Sequence, residues 1–79
     1  MTDPKALAEE EARLRELRRT VDLALFYLGT ARIDRREAEE IAARVKAKAL
    51  RLFPDKEETY DLIYQPRFLR IIRRRFGFH

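Results

Sequence analysis

Cysteine is absent from this 79-residue chain, so no disulfide framework can brace it and no thiolate can hold a metal. Glycine occurs only twice and proline three times, which excludes a flexible linker, a low-complexity tract and any glycine-rich phosphate loop. The single histidine is the last residue, His79. With no second histidine four residues away and no cysteine, it has no company for a metal site, and no metal or other cofactor is expected. Long hydrophobic runs are missing as well. The longest, Leu23 to Leu28, is far shorter than the ~20 residues of a membrane-spanning helix. The start, Met-Thr-Asp-Pro-Lys, followed by mixed acids and bases, has no secretory pattern, which leads us to expect a cytoplasmic protein.

What is present is charge and helix-forming residues. Charged side chains make up 41% of the chain, and with abundant Ala, Leu, Glu and Arg they mark a helical protein rather than a disordered one. A chain of this size buries only roughly 60–65% of the surface its unfolded form exposes. Its core is therefore thin, and reinforcement must come from close helix packing or from a second chain. The charge is unevenly placed. Residues 1–64 carry 13 Lys+Arg against 14 Asp+Glu, whereas Pro66 to His79 contain five arginines and no acid, which produces the net +4.

The pattern predicts a single all-α domain, a small helical bundle. Asp3 before Pro4 is a helix-start signal, with Glu9, Glu10 and Glu11 near the positive end of the helix dipole. A helix over about 4–28 places Leu7, Leu14, Leu17, Val21, Ala24, Leu25 and Leu28 in one stripe. Leu23, Phe26 and Tyr27 project elsewhere, so Leu23 to Leu28 is apolar nearly all round and is expected to be enclosed on several sides. Gly29 is expected to end the helix in the left-handed C′ position. Asp34 and Glu37 have capping-box spacing for a second helix over about 35–52. Its apolar face, Ala38, Ile41, Ala42, Val45, Ala49, Leu52 and Phe53, is rich in alanine and suits close antiparallel packing on the first helix.

Pro54 ends that run, and Asp55 with Glu58 repeats the capping spacing for a short third helix over about 56–64, with Tyr60, Ile63, Tyr64 and nearby Leu62 on its apolar side. Pro66 either opens a separate C-terminal helix over about 66–76 or kinks one continuous helix; the separate helix is preferred. Phe68, Leu69, Ile71, Ile72 and Phe76 share one side of it, and Arg67, Arg70, Arg73 and Arg74 the other. Arg75 falls in the apolar arc, so either the helix frays before it or its side chain snorkels outward.

Three functional readings arise from these faces. The stripe at Leu7, Leu14 and Leu17 runs beyond what an 18-residue second helix can cover, which points to a protein partner or a second copy of the chain. Arg67, Arg70, Arg73 and Arg74, aided by Arg44, Lys48 and Arg51 on the second helix, offer sequence-tolerant nucleic-acid binding. A helix-turn-helix is opposed by Glu57, Glu58 and Asp61, which would face phosphates. A membrane surface is the weakest of the three, because Phe76 and Phe78 would have to be spared from a small core. No catalytic constellation and no small-molecule substrate site is recognisable. The expectation is a non-enzymatic helical interaction module, with nucleic-acid binding as the alternative.

Overall fold

The computed structural model describes residues 3–77; Phe78 and His79, named above, lie outside the described residues. Four helices are present and no strand among the described residues: α1 (Pro4–Thr30), α2 (Arg35–Leu52), α3 (Glu57–Ile63) and α4 (Gln65–Phe76). The all-α class is therefore as expected, and the α2 boundaries match.

The capping chemistry explains two of the starts. Asp3 accepts a hydrogen bond from the Lys5 N–H at 3.1 Å with Pro4 in the first turn, and Asp34 accepts one from the Glu37 N–H at 2.8 Å. Both satisfy amides that have no partner inside the helix. Glu9 to Glu11 fall beyond the first turn of α1, which contains no acid.

Two local expectations fail. Gly29 is helical, and α1 continues to Thr30 with Ala31 as its extended C-cap, whose N–H donates to Tyr27 O at 2.8 Å. The Thr30 hydroxyl donates to Phe26 O at 2.8 Å, so the final turn closes without a left-handed residue. A Cβ at Gly29 would meet nothing within 4 Å. Gly29→Ala should consequently stabilise the protein by about 0.5–1 kcal/mol in urea titration, whereas the left-handed reading would require a loss. Second, Asp55 caps nothing. The Lys56 N–H turns back to Phe53 O at 3.2 Å, so helix geometry starts one residue later and Lys56 takes the cap position with no side-chain bond.

Pro66 does open a separate helix. Tyr64 is the joint: its N–H ends α3 on Tyr60 O at 2.8 Å, and its carbonyl accepts from Arg67 at 3.0 Å as α4 begins. Proline at the second position of α4 lacks an N–H that the first turn would not use, so the break costs little.

The core is built from α1, α2 and α4. Leu17, Val21, Ala24 and Leu28 of α1 meet Ala38, Ala42, Val45 and Ala49 of α2 and Phe68 and Ile72 of α4, with Tyr60 the one buried residue of α3. Alanines at three of the four buried α2 positions let its backbone approach closely, and Phe68, fully buried, fills the space between the three helices. Directions follow from the long-range pairs. Arg35 at the start of α2 reaches Gly77 O at 3.3 Å, and Arg75 reaches Leu28 O and Ala31 O at the end of α1, so α4 runs parallel to α1 and antiparallel to α2.

Arg13 stands over the Phe53 ring at 5.9 Å, where α2 ends. The turns of α1 before it extend past the bundle, in keeping with a long dimension of 50 Å. Every described residue from Asp3 to Arg13 is exposed.

Candidate interaction surfaces

The predicted protein-contact leucines are divided by the fold. Leu17 is in the core, Leu14 is half-buried and lines a cleft, and Leu7 is 45% exposed on the overhang. The cleft, about 220 Å³, lies where α1, α2 and α3 meet and is walled by Leu14, Leu50, Phe53, Tyr60, Ile63 and Tyr64. Its charged lining is Glu10 and Lys56 alone. Among the described residues, no cluster of three or more metal-ligating side chains occurs and no helix is long and apolar enough to cross a membrane.

The expectation that Leu23 to Leu28 is enclosed holds for one side only. Ala24 and Leu28 are buried, but Leu23 is 63%, Phe26 71% and Tyr27 49% exposed. These three sit at i, i+3 and i+4 on the side of α1 turned away from α2 and α4. The signal was in the sequence, where they stand outside the main stripe; what it lacked was the number of helices available to cover them. α4 similarly leaves Leu69 exposed, and α3 leaves Leu62 exposed to 80%, because the short α3 buries only Tyr60. Neither residue belongs to the core side assigned to it from periodicity.

The cations divide as well. Lys46 Nζ pairs with Asp61 at 2.9 Å and Glu57 at 3.1 Å, tying α2 to α3, while Lys48 pairs with Glu16 of α1 at 3.2 Å. Residues two apart on a helix point about 160° from each other. The flank of α2 that carries Lys46 and Arg35 therefore faces α3 and α4, and the flank that carries Lys48 faces α1. Arg44, which pairs with Glu40 at 3.8 Å, and exposed Arg51 lie between Lys48 and solvent. Arg44, Lys48 and Arg51 thus do not join Arg67, Arg70, Arg73 and Arg74. All four of these α4 arginines are exposed, and Arg67 lies over the Tyr64 ring at 5.4 Å. Lys46, half-buried, is spent on two carboxylates of α3 rather than on a basic surface; spacing within one helix cannot reveal a pair made across two.

Asp61, then Glu57, hold the Lys46 ammonium above its ordinary range. Burial pushes the Tyr60 hydroxyl up to about 12, and its oxygen has no protein hydrogen-bond partner. Between pH 10, where an unfolded tyrosine ionises, and about 12, the unfolded chain loses a proton that folded Tyr60 keeps, so stability falls as pH rises. Lys46 acts in the same direction, its contribution being complete below its unfolded value and lost above the raised one. Tyr60→Phe should leave stability at pH 7 unchanged or raised by up to about 1 kcal/mol and make the alkaline fall in thermal midpoint shallower. An unchanged alkaline profile would show that Tyr60 does not contribute to it.

Among the described residues these features define an all-α bundle with a bare apolar face on α1 and an arginine face on α4. No protein-family model, curated protein or solved structure matches the chain.

Proposed function

We propose that the chain is a non-enzymatic interaction module that self-associates through the outer face of α1. The observation that carries this reading is the exposure of Leu23, Phe26 and Tyr27 on a single face of the longest helix. Between them they leave on the order of 400 Å² of largely apolar surface in water, as much as the largest patch on an ordinary monomer. A core this thin gains from covering it.

The spacing suits a second copy. In an antiparallel pairing of α1 about a two-fold axis at Leu23, Arg19 of one copy comes opposite Tyr27 of the other, since each is four residues from the centre. A guanidinium over an aromatic face is attractive. Glu16 and Thr30, each seven residues from the centre, are likewise brought opposite and put no like charges together.

A patch of this size is about half of the ~800 Å² that each partner contributes to a stable interface, so a reversible dimer is expected rather than a permanent one. Sedimentation equilibrium over a range of concentrations is the test. The wild-type chain should approach dimer mass, and Phe26→Asp should hold it at monomer mass with helix content unchanged by circular dichroism. A wild-type chain that stays monomeric up to about 1 mM would sink the proposal, because association weaker than roughly 4 kcal/mol leaves the face unpaired.

A further inference from the structure

We infer that α4 carries a second, separate surface that binds the phosphate backbone of nucleic acid, formed by Arg67, Arg70 and Arg74. At 100° per residue these three fall within about 60° of the helix circumference and span about 10 Å of its length. They form a narrow row. α4 contains no acidic residue, and among the described residues no carboxylate pairs with any of the three.

The cations at the helix junctions are used differently. Arg75 is held on the α1 carbonyls and Arg35 on Gly77 O and Glu39. Lys46 takes Glu57 and Asp61, the two α3 acids on the flank that packs on α2, and Lys48 takes Glu16. What remains on α4 is a row with no internal counter-charge. Desolvating three neighbouring guanidinium groups without an anion is unfavourable, and an array of planar donors matches phosphate oxygens best.

Two further observations favour nucleic acid over a lipid surface. The row holds no apolar side chain that would enter the acyl boundary: the exposed Leu69 lies about 100° from Arg70, and Leu62 is on α3. In addition, Arg67 rests over the Tyr64 ring, which limits its rotamers and offers the aromatic and guanidinium planes on which unpaired bases stack. Binding through three phosphate contacts would be read without base code, so sequence should matter little. This surface does not depend on the α1 pairing, and a monomer displays it equally.

The test is fluorescence anisotropy with a labelled oligouridylate of about 20 nucleotides. Three contacts to a single strand predict that log affinity falls with log salt at a slope of about −2, so that raising salt from about 50 to 200 mM weakens binding roughly 20-fold. Arg70→Gln with Arg74→Gln should cost roughly tenfold or more and lower the slope magnitude by about 1.4. Both positions are exposed, and helix content serves as the folding control. Arg44→Gln with Arg51→Gln, on the remote flank of α2, should change affinity by less than about twofold. Absence of binding at about 50 mM salt, or an equal loss from the α2 pair, would overturn the assignment. So would binding to vesicles of phosphatidylcholine with roughly one-third phosphatidylserine but not to the oligonucleotide.

Discussion

Ile72→Asp is expected to remove about 3 kcal/mol or more of folding stability, and Arg74→Ala no more than about 0.5, although the two positions are two residues apart on one helix. Ile72 is 4% exposed and packs in the cluster with Phe68, Val21 and Leu28. A carboxylate placed there loses the apolar burial of the isoleucine and carries an ionised group into a core that, among the described residues, buries no charged side chain to pair with it. Arg74 is exposed and has no such role. For a chain of 79 residues, total stability is on the order of 4–12 kcal/mol, so the first substitution alone removes a quarter or more of it. Urea titration at pH 7 measures both. Repeating the Asp variant near pH 4 separates charge from shape: partial recovery relative to wild type, as the carboxyl takes up its proton, identifies the unpaired charge as the larger part. Equal and small effects would mean that α4 is not anchored in the core.

The legible part of this fold was the part set by neighbours in sequence. Asp34 with Glu37 and the Pro54 stop placed α2 to the residue, because a cap and a proline act within a few positions. Gly29 and Asp55 misled for the same reason in reverse. Both are residue types that serve as caps, yet whether they do so depends on where the chain must go next. At Gly29 the Thr30 hydroxyl and the Ala31 amide close the helix instead, and at Asp55 the Phe53–Lys56 turn shifts the start by one.

Periodicity found the apolar faces but not how much of each would be covered. Leu7 lies in the stripe assigned to the core and remains exposed because no helix opposes it there, while Leu69 and Leu62 fall off the buried sides of α4 and α3. Leu23, Phe26 and Tyr27 form a second face that three packed helices cannot reach. The α4 arginines stand exposed, as the helix period requires, but their division from the α2 set depends on Lys46 and Lys48 choosing opposite neighbours, which only the three-dimensional arrangement decides.

The second large effect is expected at Arg75. Arg75→Met should cost about 2 kcal/mol, or roughly 8–16 °C in thermal midpoint for a domain of this size. The guanidinium donates to Leu28 O and Ala31 O and lies over the Phe76 ring at 5.2 Å. Leu28 is wholly buried, so its carbonyl loses a partner that water is poorly placed to replace. The positive charge also sits at the negative end of the α1 dipole, where a cation is stabilising. Methionine retains the apolar stem, so the loss reports the donors rather than the packing. Arg75→Lys should fall between the two, since one ammonium keeps the charge but cannot present the planar fork that spans both carbonyls. Amide exchange supplies a local reading: protection at Tyr27 to Ala31 should drop in Arg75→Met and stay unchanged in Arg74→Ala. If Arg75→Met and Arg74→Ala lost the same amount, the carbonyl contacts would not be an anchor. A difference would show why one run of arginines serves two ends, because each step of 100° around α4 turns the next guanidinium from solvent toward α1.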